Sequence, residues 1–450
     1  MEKRDSFGSK FGVLVAMAGS AVGLGNLWRF PYLVGENGGA IFIIIYLVFV
    51  FLIGLPLMIN EFVIGRRSQA NVFGAFKNLC KDKSSPWGKV GIISVLCSLT
   101  ILSFYCVVGG WTIDYLFRSI SLQFTADTNY EQMFAESSAH VFRPLISTCI
   151  FLFFTALVVV LGVKKGIEKY SKIMMPLLIL MIIVIAIRSM LLSGAKEGID
   201  FLFKPDFSKL TGQTVMAALG QAFFSLSIGC GTIITYASYV KKEEHIINDS
   251  FYTVVADFSF ALLAGLAIMP AVFAFNTSPS EGPGLVYITL PHIFAQIPAG
   301  GMLAIIFFFI LLFAALTSSI SLLEVVVAFL IEEFHLKRTS AVILSVAVSA
   351  GLGVLCSLSM GLLKEWTIAG FTIFDCLDKL SANILLPLGG LLFVLFAGWK
   401  IPKADYYDEL SNSGTVHVKP WLMKSIRFII KYVAPVVILV ILIVGLLPKQ

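Results

Sequence analysis

The chain has 450 residues, of which 58% are hydrophobic and 13% charged. A soluble domain carries about 25% charged residues, so this composition excludes one and indicates a polytopic membrane protein. The net charge of +6 is modest, and its placement carries more than its sum.

Apolar stretches fall at 11–33, 39–65, 88–122, 144–162, 166–193, 213–240, 244–275, 301–333, 339–360, 364–398 and 422–447. A span needs about 20 residues, so these predict eleven transmembrane helices, the longer ones tilted or projecting. The first ten residues are polar and no cleavage site follows, so no cleavable signal peptide is expected. Basic residues alternate between the connections. One set holds 23, among them Lys164, Lys165, Lys169 and Lys172; the other holds about eight, and the 276–300 loop has none. The positive-inside rule places the N-terminus in the cytoplasm and, with eleven spans, the C-terminus outside.

The first span is interrupted by Ser20-Ala-Val-Gly-Leu-Gly-Asn26, and the sixth by Ser225-Leu-Ser-Ile-Gly-Cys-Gly231. A helix that breaks in hydrocarbon frees backbone N–H and C=O groups, at a cost of several kcal/mol each unless protein, water or ligand satisfies them. Paired breaks in the two halves of a chain point to a transporter binding site at the bilayer midplane. The predicted fold is therefore all-α: one transporter domain over 1–450, with five-helix repeats at 11–193 and 213–398 and an extra helix at 422–447. An odd number of spans per repeat makes the second inverted. Gly166 and Pro176 in the fifth span mark a point of local unwinding.

Gly19 to Gly23 alone reads equally as a small-residue packing face. Asn26 and Arg29 within two turns favour function, because an arginine inside a span is costly. Half-helix N-termini suit a carboxylate, and freed carbonyls suit a cation such as sodium. Thr317-Ser318-Ser319 places hydroxyls inside the eighth span; they either bond back to their own helix or serve as uncharged oxygen ligands for a monovalent ion. Asp257, Glu61 and Glu324 are carboxylates in apolar surroundings that need partners. For Glu61 the preferred reading is a structural tie from the second span to the broken sixth. Asp375 and Asp378 either cap the tenth helix or, in the functional reading, pair with Arg29. The seven cysteines show no disulfide framework or metal-site spacing, and the five histidines no ligand spacing. Gly-x-Gly at 23–25 and 229–231 is too short for a nucleotide fingerprint, and no intramembrane enzyme motif is present.

These motifs resemble the neurotransmitter:sodium symporters, the family of the bacterial leucine and multi-hydrophobic amino-acid transporters and of the monoamine and GABA transporters. The likeness covers essentially the whole chain. It is carried by Gly19-Ser-Ala-Val-Gly-Leu-Gly-Asn-Leu-Trp-Arg-Phe-Pro31, Glu36-Asn-Gly-Gly39, Phe223-Phe-Ser-Leu-Ser-Ile-Gly229, Thr235-Tyr-Ala-Ser-Tyr239 and Leu316-Thr-Ser-Ser319.

The resemblance implies a substrate carboxylate on the Ala21/Gly25 backbone, the Tyr105 hydroxyl and a first sodium. The amino group would meet carbonyls of Ala21 and Phe224 and the Ser227 region. The first sodium would sit on Ala21, Asn26, Ser225 and Asp257, and the second on Gly19, Val22, Ala314, Thr317 and Ser318. Tyr105 and Phe224 would form the lid. Arg29 with Asp378 would form the outer gate, and Arg4 with Glu332, near Tyr239, the inner one. Ser20, Leu24, Ile101, Cys230 and Leu322 would line the side-chain pocket together with Ser225 and Ser318.

Three departures matter. Asp257 stands where the family commonly has Asn, and Ala261 where chloride-dependent members have Ser. Tyr46, Gln221 and Ser225, the rest of that chloride pocket, are present. The carboxylate is expected to replace the chloride, so no chloride is required. Cys230 replaces a Phe of the leucine transporter, and Ser20 an Asn. The loss of a ring opens room for bulky hydrophobic or aromatic L-amino acids, with Leu or Met tolerated. Phe7 replaces the usual N-terminal Trp latch.

The expected activity is sodium-coupled symport by alternating access. The expected partners are an amino acid, sodium and membrane lipid, with no nucleic acid, and one chain suffices for transport. The location implied is the inner (plasma) membrane. A proton-coupled carrier using Asp257 or Glu61 and a non-transporting amino-acid sensor are the competing readings.

Overall fold

The computed structural model describes residues 5–80, 82, 84–277 and 284–446. Among these the regular structure is helical, apart from one isolated bridge between Ile368 and Phe371. The first span, α1, is a bent pair, Lys10–Ala21 and Gly25–Glu36, whose halves meet at 50°. It is followed by α2 (Ala40–Ser68), α3 (Pro86–Ile120), α4 (Phe142–Val160) and α5 (Val163–Met190). The sixth span, α6, consists of Gly212–Ser225 and Thr232–Ala237, separated by non-helical residues 226–231. Then come α7 (Ile246–Ala274), α8 (Gly300–Phe334), α9 (Arg338–Leu358), α10 (Ile373–Trp399) and α11 (Pro420–Leu446). Nine of these are long and apolar enough to cross a membrane by themselves, and α1 makes ten as a bent pair. The halves of α6 are too short to qualify alone, which is why the eleventh span is visible only as a broken one.

The predicted starts and ends hold to within a few residues, except at α10. Its helix begins at Ile373 and not at 364. Ala369 and Gly370 adopt φ of +53° and +83°, which no helix accommodates. A capping box then starts the helix: the Thr372 hydroxyl accepts from Asp375 N, and the Asp375 carboxylate accepts from Thr372 N. Asp375 is thus a cap. The start of α5 is a wound π-helical turn, Val163–Glu168, and Pro176 lies within continuous helix.

Five further π-helical turns occur among the described residues: Gly25–Arg29, Val50–Gly54, Leu285–Thr289, Leu380–Leu385 and Ile429–Val433. Each ends two residues before a proline: Pro31, Pro56, Pro291, Pro387 and Pro435. Proline lacks an N–H, and its ring crowds the carbonyl four residues back. Widening the preceding turn relieves that contact. Phe30 N reaches Gly25 O, and Leu55 N reaches Val50 O, so the hydrogen bond spans five residues instead of four.

The broken helices sit at the centre. The first half of α1 packs against α5, α7 and α8, and the second half of α6 against α2 and α8. The most apolar window of α3 is 72% buried and that of α8 67%, whereas that of α11 is 17% buried, which places α11 at the edge.

Neighbouring helices supply the partners that the α6 break needs. Gly229 N donates to Glu61 Oε1 at 2.8 Å. Ser94 Oγ donates to Gly229 O at 2.8 Å, and Ser98 Oγ to Cys230 O at 2.7 Å. Glu61 is therefore the structural tie expected of it. Replacing Glu61 with Ala strands a buried N–H, and we expect a loss of about 1–3 kcal/mol. Thermal unfolding in detergent should show a lowered midpoint for E61A. E61Q keeps an acceptor and should fall between E61A and the wild type.

Candidate functional site

Polar atoms gather in two clusters where the breaks face each other. The first surrounds Asp257 of α7, which is fully buried. Asn26 Nδ2 donates to Asp257 Oδ1 at 2.8 Å, and Ser225 Oγ donates to the same carboxylate at 2.8 and 2.9 Å. Tyr46 OH reaches Oδ2 at 3.3 Å. All three partners are uncharged. Asn26 Oδ1 turns the other way and accepts from Gly23 N at 3.1 Å, inside the α1 break. Gln221 Nε2 donates to Gly25 O at 3.3 Å, while its Oε1 has no partner among the described residues. A carboxylate in hydrocarbon with only neutral donors is strongly disfavoured unless a cation joins it. Its donor set is hard oxygen, which suits an alkali or alkaline-earth ion.

The second cluster lies between α1 and α8. Thr317 Oγ1 is 3.1 Å from both Phe313 O and Ala314 O and 3.5 Å from Val22 O. Phe313 O and Ala314 O lie within continuous helix, so the Thr317 hydroxyl bonds back to its own helix while coming near Val22 O of α1. A Cβ at Gly19 would lie 3.3 Å from Thr317 Cβ, so only glycine allows this approach without displacement. A Cβ at Gly23 would lie 2.4 Å from Ser318 Oγ and 3.4 Å from the Tyr105 hydroxyl. Gly23 thereby lets α3 and α8 reach the break together.

Between the clusters further polar groups of α1, α3, α6 and α8 meet. Leu24 N points at Tyr105 OH at 3.4 Å. Ser227 Oγ donates to Ser20 O at 3.1 Å, and Ser20 Oγ to Ser321 Oγ at 3.0 Å. Cys230 Sγ reaches Ser227 O at 2.9 Å. Leu24, Ile101 and Leu322 are buried in the same apolar core. The Phe224 ring lies against Gly25, where an added Cβ would be 3.1 Å away. Ala21 is buried at the end of the first α1 half.

The gate residues are arranged unequally. Arg29 lies over the Phe224 ring, 4.5 Å from its centroid, and makes no ion pair with Asp378 within 4.0 Å. Arg4 lies outside the described residues. Glu332 accepts from Asn71 N at 2.8 Å and from Asn71 Nδ2 at 2.9 Å. Tyr239 OH donates to Glu324 Oε1 at 2.8 Å, and Arg338 forms an ion pair with that carboxylate. Phe7 is buried, with its ring 5.9 Å from that of Tyr236 and 6.4 Å from that of Tyr239. It thereby ties the N-terminal segment to the second half of α6, with Phe7 N donating to Tyr239 O at 3.2 Å.

Sequence reasoning missed Ser94, Ser98, Ser321 and Arg338. The serine pair at 94 and 98 is spaced one helical turn apart on an apolar helix, and that spacing was the available signal. Among the described residues no group of three His, Cys, Asp or Glu side chains could hold a metal.

The pattern of the sodium:neurotransmitter symporter family matches residues 4–143 and 133–450. The chain belongs to that family. This symporter is 38% identical over 445 residues to the uncharacterized sodium-dependent transporter YhdH of Bacillus subtilis, covering 98% of this chain and 97% of the relative. A sodium-dependent transporter of Haemophilus influenzae is 37% identical, with 99% of each chain covered. A crystal structure of MhsT in complex with L-phenylalanine superposes with a TM-score of 0.90 at 42% identity, covering 98% of this chain and 100% of that one. The symporter is thus a multi-pass membrane transporter of a sodium-dependent family.

Exchanging Gly23 for Ala forces Ser318 Oγ to rotate away from the break. We expect G23A to lower sodium-dependent transport by about tenfold or more, since misplacing a binding group by about 1 Å is enough for a loss of that size. Gly220→Ala, where nothing lies within 4 Å of the added carbon, should transport normally.

Proposed function

We propose that this symporter carries bulky hydrophobic or aromatic L-amino acids into the cell together with sodium, without chloride, by alternating access. The observation that carries the reading is Asp257: fully buried, uncompensated by any charged partner, and hydrogen-bonded to both broken helices. A sodium ion there would neutralise it. Turning the Asn26 amide by half a turn would present Oδ1 in place of Nδ2. That turn also releases Gly23 N, so ion binding and the shape of the α1 break are coupled. Ala21 O and Ser225 Oγ complete the proposed first ion site. Gly19, Val22, Ala314, Thr317 and Ser318 form the proposed second, which ties α1 to α8.

The substrate carboxylate would lie on the Ala21/Gly25 backbone beside Tyr105 and the first sodium. The amino group would face the Ala21 and Phe224 carbonyls near Ser227. The side chain would enter the pocket of Ser20, Leu24, Ile101, Cys230 and Leu322. A relative at 42% identity binds L-phenylalanine, which supports an aromatic substrate. Closure would bring Phe224 and Tyr105 over the substrate. Arg29, now over the Phe224 ring, would turn toward Asp378, while Phe7, Glu332 and Tyr239, with Arg4, hold the inner side shut. Breaks in both α1 and α6 support reading 11–193 and 213–398 as inverted repeats with 422–447 added. The lysine excess on one set of connections supports a cytoplasmic N-terminus and an outer C-terminus, in the plasma membrane.

Ions and substrate shift the equilibrium only by binding one state better than the other. The ions therefore have to bind the substrate-competent state better than the other.

Uptake into proteoliposomes tests the reading directly. An inward sodium gradient without chloride should drive accumulation of Trp, Tyr and Leu, and unlabelled Gly should compete poorly. Preference for Gly, or accumulation indifferent to sodium, would sink the proposal. Replacing Asp257 with Asn removes the only charge in the cluster. D257N should raise the sodium concentration for half-maximal uptake by about tenfold or more, equivalent to about 1.4 kcal/mol or more. Uptake by D257N should also become responsive to added chloride.

A further inference from the structure

The start of α5 carries a feature that the transport reading leaves unused. Lys164, Lys165, Lys169 and Lys172 surround an open groove of about 750 Å³ together with Leu161 and Ile173. Lys172 is held by Glu168 at 2.6 Å. Glu168 also accepts from Gly8 N at 2.6 Å and Ser9 Oγ at 2.9 Å, so its charge is already engaged. Lys164, Lys165 and Lys169 are exposed and make no ion pair among the described residues. Three ammonium groups within six residues raise the positive potential beside this groove.

The apolar surface of the helix begins at the same place. Ile173, Leu177 and Leu180 are all exposed and follow one another at helical spacing down one face of α5. These lysines belong to the set of connections with the basic excess, and an anionic leaflet attracts a basic cluster of this kind beside a span.

We propose that this groove binds the headgroup of an anionic phospholipid, with Lys164, Lys165 and Lys169 on its phosphate and an acyl chain along Ile173, Leu177 and Leu180. Charged and apolar contacts are continuous here, which a soluble phosphate could not use. Lysines act as point charges toward phosphate and need no fixed fork geometry. The site does not depend on which substrate is carried.

The test uses the full chain in nanodiscs of equal phosphatidylglycerol and phosphatidylcholine, with retained lipid counted by native mass spectrometry. Wild type should keep phosphatidylglycerol over phosphatidylcholine by about threefold or more. The variant K164Q/K165Q/K169Q should bring the ratio close to parity, whereas K419Q/K424Q, on another exposed basic segment, should leave it unchanged. An unchanged ratio in the triple variant, or an equal fall in the control, refutes the site. Displacement of the retained lipid by excess inorganic phosphate would show a free-anion site and refute the lipid. A photoreactive phosphatidylglycerol applied to the unmodified protein gives a second reading that no variant's folding can confuse. Labelling within 161–180 supports the groove, and labelling elsewhere alone overturns it.

Discussion

Backbone polarity released inside hydrocarbon is the constraint on which the centre of this molecule depends. Where α1 and α6 stop being helical, each unmatched group costs several kcal/mol. The protein answers several of them with its own side chains. Glu61 takes Gly229 N, Ser94 and Ser98 cover two carbonyls, Asn26 takes Gly23 N, and Ser227 covers Ser20 O. What these bonds leave without a counter-charge is the Asp257 carboxylate. A buried carboxylate whose partners are all neutral calls for positive charge at that place.

The same residues serve both support and binding. Asn26 touches Gly23 of one break and, through Ser225, the end of the other helix. Gln221 joins α6 to Gly25. A change at either cluster is therefore felt in the backbone that lies between them. No long pathway is needed, because the coupled groups are in direct contact.

Much of this arrangement was legible in the chain. The breaks show as glycine and small polar residues in apolar runs, and Gly229 and Gly231 indeed adopt φ of +90° and +84°. Asp257 shows as a lone carboxylate among apolar neighbours. Other features were hidden for definite reasons. Hydropathy extends α10 back to 364 because Trp366, Ile368 and Phe371 are apolar, and it does not see the left-handed residues between them. Glu324 needed a partner, and Arg338 supplies it from the start of the next helix. Its charge reads equally well as a loop residue marking topology. Arg29 and Asp378 are opposite charges, yet the guanidinium lies on the Phe224 ring, and one dimension of sequence does not contain that choice.

The wide turns before prolines have a consequence of their own. A π-helical turn holds one residue more than its α-helical equivalent, so everything beyond it is rotated by about 100° about the helix axis. Ile59 and Asn60 of α2 thus face where they do because Val50–Gly54 is one residue long of a regular helix. Shortening that turn by one residue would restore ideal geometry locally while turning Glu61 away from Gly229. In these spans regular helix would be the defect, and the irregular turn keeps the two ends of each helix in phase with different neighbours.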